Sequence, residues 1–125
     1  MEFIHAPKAC ASVGPYSHCV KAGSTYYLCG QVPFHPVTGE VVGNGMKEQA
    51  VQTLANMKAV LEAAGLAVTD IAKTTVFVTN MDDFAAFNEE YAAFMGEHRP
   101  ARVCVEVSNI AHGCLLEMDA ICFKE

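Results

Sequence analysis

Apolar and polar residues alternate along some stretches of this chain and recur every third or fourth position along others. After Met46 the apolar residues Ala50, Leu54, Met57, Leu61 and Ala64 follow at intervals of 4, 4, 3, 4 and 3. Lys47, Glu48, Gln52, Lys58 and Glu62 fall off that stripe. The spacing predicts an amphipathic helix over 46–64, with Gly65 as its left-handed cap. A second helix starts at Asn80 or Asp82, either of which can cap it, and runs to about Met95. Phe84, Phe87, Tyr91 and Phe94 form its apolar stripe, and Gly96 ends it. Between and around these helices the period drops to two. Strands are expected over 17–22 and 25–32, joined by the tight Gly23-Ser24 connection, and then over 70–79, 102–107 and 115–123. Residues 3–5 suit a short edge strand. The order is β-β-α-β-α-β, with room for a further strand before the C-terminus. That is an α+β fold in which two helices lie on one face of a mixed sheet. The other face must meet water or another subunit.

Composition changes this picture in one respect. The chain has 125 residues, enough for a single domain over 1–125 with one proper core. Its hydrophobic fraction of 52% is high for that size, so part of the surface is expected to be covered by a partner, identical copies being the usual one. The net charge of −6 and the lack of any basic run give nucleic-acid binding no electrostatic support. An acidic surface also speaks against anionic membranes. No apolar stretch approaches the roughly 20 residues of a membrane span, and residues 1–9 do not resemble a signal peptide, so a cytoplasmic location is the default. Six cysteines without a CxxC pair, in a core-rich chain, suit small buried hydrophobes in a reducing compartment. The five histidines show no ligand spacing, so no metal is expected. Gly43-Asn44-Gly45 lacks the context of a phosphate loop.

Two strands carry candidate chemistry. In the stretch from Arg99 to Val107, alternation puts Val103, Val105 and Val107 on one face and Arg102, Cys104 and Glu106 on the other. Pro100 biases Arg99 toward extended geometry and opens the strand. Arg102 carries a planar, permanently charged fork that suits a carboxylate in two-point contact. The alternative is a strand-end arginine that reaches water or pairs with an acid. In the last strand Glu117 and Asp119 share a face with Leu115, Ile121 and Phe123. An acid so flanked either pairs with a base or is held for chemistry with a shifted pKa. If the last two strands pair as a hairpin, Glu117 or Asp119 falls near Arg102 or Cys104. Ser17-His18, being adjacent on an expected strand, makes no dyad. Cys104 has no histidine assigned as a base.

Eight short pieces in order carry a resemblance over nearly the whole chain. They begin with Gly14-Pro15-Tyr16-Ser17, Cys29-Gly30-Gln31-Val32-Pro33 and Thr38-Gly39-Glu40. Gln49 with Asn56 and Leu61-Glu62-Ala63-Ala64-Gly65 follow. Next come Lys73-Thr74-Thr75-Val76-Phe77-Val78, then Asp83-Phe84 with Asn88 and Tyr91. Pro100-Ala101-Arg102-Val103-Cys104-Val105-Glu106-Val107 is the most diagnostic. In these pieces the chain resembles the RidA (YjgF) family of reactive-intermediate deaminases. Cys29 stands where that family commonly has serine, and the segment from Gly96 to Arg99 is shorter than usual.

The resemblance implies a chorismate-mutase-like fold assembled as a homotrimer, with sites in clefts between subunits. It implies hydrolysis of 2-imino and 2-enamino acids such as 2-aminoacrylate and 2-aminocrotonate to 2-keto acids and ammonia, without cofactor or metal. Arg102 matches the residue that grips the substrate carboxylate, and Glu117 the acid that positions or activates water. Tyr16 matches an aromatic that closes over the ligand. Asn88, the Cys29-Gly30 backbone and the Cys104 main chain match pocket lining. Two alternatives remain: a non-catalytic trimer that binds a metabolite or acts like a chaperone, and an endoribonuclease or translation inhibitor, a label the family has carried.

Overall fold

The computed structural model describes Met1–Glu125. Its strands are β1 (Glu2–Ile4), β2 (Cys19–Ala22), β3 (Thr25–Gln31), β4 (Ile71–Val78), β5 (Ala101–Glu106) and β6 (Leu116–Phe123). Its two α-helices are α1 (Met46–Ala63) and α2 (Phe84–Met95). All six strands form one sheet in the order β1-β2-β3-β6-β4-β5. Every pairing is antiparallel except β4 with β5, which α2 joins as a parallel crossover.

Local chemistry sets the helix ends. Gly65 adopts φ +73°, and its N–H donates to the Glu62 carbonyl while Leu66 N–H reaches back to Leu61, the two bonds of a Schellman stop. Asn80 accepts from Asp82 N–H and caps a short 3-10 turn, Met81–Asp83, that leads into α2. Gly96 follows α2 with φ +64° and ψ −123°, a backbone geometry that favours glycine. The strand expected from Ser17 begins only at Cys19, because His18 is drawn into the fold instead. Its ring accepts from Ala6 N–H and donates from Nε2 to the Cys10 carbonyl at 2.8 Å. His18 thereby pins the N-terminal segment across the sheet.

Both helices cover one face. Leu116, Met118, Ala120 and Cys122 of β6 and Thr74, Val76 and Val78 of β4 are buried beneath them. Met57, Val60, Leu61 and Phe87 complete the core from the helix side. The opposite face is uncovered and exposes Tyr27, Val103, Val105, Ile121 and Phe123. Much of the hydrophobic excess of the sequence thus lies exposed on one sheet face.

The condition that would bring Glu117 or Asp119 beside Arg102 or Cys104 is not met. β5 and β6 are not a hairpin, because β4 runs between them. A parallel β-α-β crossover places β5 beside β4, and β6 then pairs with β4 on its other side. Alternation within each strand shows which residues share a face but cannot show which strands are neighbours.

Candidate active site

The sequence candidates gather into two groups within one chain. The first lies at the β5 edge. Arg102 pairs in register with Thr74, which is buried beneath α2 and shares a 2.8 Å hydrogen bond with the Tyr91 hydroxyl. Paired residues share a face, so Arg102 and Cys104 stand together, as alternation predicted, and the side they share is the helix side. The Arg102 guanidinium donates from Nη1 to Asn88 Oδ1 at 2.8 Å. Its carbon lies 4.8 Å from the Tyr91 ring centre and 5.2 Å from that of Phe84. Two aromatic faces and one amide thus hold the cation without neutralising it. Asn88, Tyr91, Arg99, Pro100 and Arg102 wall a cleft of about 440 Å³. Neither arginine meets a carboxylate: Arg99 donates only to the Gly96 and His98 carbonyls.

β5 is also a free edge. Val107 N–H donates to the Val78 carbonyl, and backbone groups alternate sides along a strand. The N–H groups of Val103 and Val105 therefore face β4, and that of Cys104 faces outward, open to an acceptor. The Cys104 thiol is pushed above the usual range by burial, against a smaller downward pull from Arg102.

The second group lies on the uncovered face, at the far end of β3 and β6. Tyr16, Cys29, Gly30 and Glu117, with Val13 and Phe34, wall a cleft of about 310 Å³. Glu117 is half-buried. Loss of solvent, and secondarily the charge of Asp119, raises its carboxyl above the ordinary glutamate value. Gly30 makes room for it: a Cβ there would stand 2.9 Å from the Glu117 carboxyl carbon. A carboxylate so placed can take and return a proton. Burial first, then neighbours including Cys10, pushes the Cys29 thiol up to about 11, so at neutral pH it is a thiol and no nucleophile. It accepts from Gln31 Nε2 at 3.2 Å.

Two buried polar residues of α1 hold this region. Asn56 Nδ2 donates to the Val32 and Phe34 carbonyls at 2.9 Å each, fixing the chain just beyond Gly30. Gln49 Oε1 accepts from Leu115 N–H at 2.8 Å, two residues before Glu117. Both stood among the motif residues without a role. Phe84, Tyr91 and Arg99 were missed as site residues; the first two stood in the apolar stripe and among the motif residues without a site role. No three His, Cys, Asp or Glu side chains converge as metal ligands. No helix is long and apolar enough to cross a membrane.

Within one chain the two groups do not meet. Arg102 aligns with Thr74 and Glu117 with Phe77, three residues along β4 and on opposite faces of the sheet. Strand spacing and rise put their backbones roughly 14 Å apart.

Known proteins match the chain over nearly its whole length. A RutC family protein of Pyrococcus horikoshii is 47% identical over 124 residues, covering 99% of this chain and 98% of its own. The 2-iminobutanoate/2-iminopropanoate deaminase of Escherichia coli is 45% identical, covering 97% of this chain and 96% of its own. The crystal structure of E. coli TdcF with bound serine superposes with a TM-score of 0.94 at 40% identity, over 100% of both chains. The family model described as endoribonuclease L-PSP matches residues 5–124. By sequence and by structure, the chain belongs to the RidA/YjgF family.

Proposed function

We propose that this chain hydrolyses 2-enamino and 2-imino acids, including 2-aminoacrylate and 2-aminocrotonate, to 2-keto acids and ammonia. The sites are composite, formed between the copies of a homotrimer with the chorismate-mutase-like arrangement. One observation carries this reading. A permanently charged fork without an acid partner and a carboxylate of raised pKa stand on opposite faces, so joining them takes a second copy. The uncovered apolar face supplies the surface for that contact. The E. coli deaminase and serine-bound TdcF lend the substrate class, a small amino-acid-like carboxylate.

Arg102 takes the substrate carboxylate in two-point contact, steadied by Asn88 and the two rings. The outward Cys104 N–H is a further donor at that edge. Glu117 of the adjoining copy holds a water against the imine carbon, and Tyr16 closes the cleft over it. Glu117 accepts a proton as the water oxygen bonds to that carbon and the C=N π pair moves to nitrogen. That proton passes to nitrogen, Glu117 then relays the proton of the new hydroxyl to nitrogen as well, and the C–N bond breaks with its electron pair leaving on ammonia as the O–H pair closes the carbonyl. The carbon is already electrophilic, so orientation and one proton relay suffice. Six free thiols suit a reducing compartment, which supports a cytoplasmic setting for this activity.

The test generates 2-aminoacrylate with a serine dehydratase and follows pyruvate release. Wild type should accelerate release over the spontaneous rate, and Arg102→Ala and Glu117→Ala should not. No acceleration by wild type sinks the reading. The family's endoribonuclease description gains no support from a chain of net charge −6, since phosphate binding needs basic surface.

A further inference from the structure

Arg99 is a second fixed cation on the wall of the Arg102 cleft. Its Nη1 donates to the Gly96 carbonyl at 2.6 Å and the His98 carbonyl at 2.9 Å. The turn that carries it is anchored in turn. His98 N–H donates to the Met95 carbonyl, and His98 Nε2 donates to the Ile71 carbonyl at 2.7 Å. Arg99 is therefore exposed yet tied at one nitrogen, with Nη2 and Nε left to donate. Arg102 is likewise tied at Nη1 and free elsewhere. Two guanidinium groups thus face one cleft that no carboxylate lines, on a chain whose net charge is −6. Like charges held together in this way favour a ligand that brings negative charge to both.

The cleft volume points the same way. About 440 Å³ on one chain lies in the range of small-molecule pockets, roughly 300–1,000 Å³, and leaves room beside Arg99 for a ligand longer than a three-carbon acid. Residues 99 and 102 are at most about 11 Å apart along the chain, within which two long side chains can converge on the ends of a short diacid.

We propose that this cleft selects 2-imino acids bearing a second carboxylate, of the four- and five-carbon diacid class. Arg102 takes the carboxylate beside the imine carbon, and Arg99 takes the distal one. The proposal rests on the deaminase reading for its chemistry, and it adds a substrate preference that Arg102 and Glu117 alone do not set. Monocarboxylic imino acids use the same site without engaging Arg99.

The experiment compares imines made in situ by amino-acid oxidases from aspartate or glutamate with those from alanine or 2-aminobutyrate. The ratio of kcat/KM for diacid over monoacid imines should fall about ten- to a hundredfold in Arg99→Gln, the worth of one or two charge-assisted hydrogen bonds. Arg99→Lys should recover part of that ratio. A ratio that stays level or rises in Arg99→Gln overturns the proposal. A second measurement is independent of turnover. By calorimetry, wild type should bind 2-oxoglutarate more tightly than 2-oxobutanoate, and Arg99→Gln should lose that preference. Equal binding of the two acids by wild type also overturns it. Failure of the deaminase reading instead shows as wild type accelerating no imine at all.

Discussion

Arg102 interacts with an amide and two rings rather than with an acid, so its charge remains available to a ligand. Arg102→Ala should lower kcat/KM by more than a hundredfold, about 3 kcal/mol for two charge-assisted contacts. Arg102→Lys should recover little, because an ammonium has no fork. Glu117 gives a pH signature. Its carboxyl is raised by burial and by Asp119, and it must be ionised to take a proton from water. Activity should therefore fall as pH drops through a point above the ordinary glutamate value. Asp119→Asn removes the like charge and should shift that acid limb to lower pH. Gly30→Ala should push the Glu117 carboxylate aside and cut kcat by about a hundredfold, with circular dichroism intact. Alkylation of Cys29 by iodoacetamide at neutral pH should run well below the rate of a free thiol, given its pKa of about 11. Arg102 and Glu117 were both visible in the sequence as charges at strand positions flanked by apolar residues. Gly30's role was not, since it depends on a carboxylate 87 residues away in the chain.

At the scale of elements, α2 does two jobs. Phe87 and Met95 fill the core, while Phe84, Asn88 and Tyr91 hold Arg102 from above the sheet. Tyr91→Phe keeps the ring but removes its bond to Thr74, leaving that hydroxyl buried without a partner. It should cost about 1–3 kcal/mol of stability, read by denaturant unfolding, while substrate affinity changes less. Both helices and most strand bounds were legible because their periodicities are local. The 3.6-residue stripe of α1 and the two-residue alternation of β5 and β6 need no knowledge of neighbours. The sheet order was not legible, and whether β5 and β6 formed a hairpin was left as a condition for that reason. Strand adjacency is decided by the crossover through α2 and by which pairings bury Thr74, Val76 and Val78. His18 was misplaced on a strand, because its bonds reach back to Ala6 and Cys10 in a segment with no period at all.

At the scale of the molecule, the proposed composite site, with its two halves on opposite faces, would make assembly a condition of activity. Sedimentation should give a particle of about 40 kDa, three times the 13.4 kDa chain. Val105→Glu, on the uncovered face, should break that particle into monomers and abolish turnover while leaving Arg102 and Glu117 in place. Composite sites make a sharper prediction. Arg102→Ala and Glu117→Ala are each inactive, but mixed and reassembled they should recover about a quarter of wild-type turnover. In a ring of head-to-tail contacts, that is the share of interfaces where an intact arginine meets an intact glutamate. Sites contained within one chain would recover none.

The free edge of β5 has a consequence for the chain before it assembles. A strand whose outward backbone groups are open to a ligand is equally open to another strand, and this one adjoins an uncovered apolar face. A newly made monomer is therefore a template for misassembly. Pro100 at the head of the strand and the charges of Arg102 and Glu106 along it are the features that discourage such pairing. Arg102 thus acts as a gatekeeper of solubility beside its proposed grip on substrate. A variant that loses the charge should precipitate during refolding at chain concentrations where Arg102→Lys stays clear.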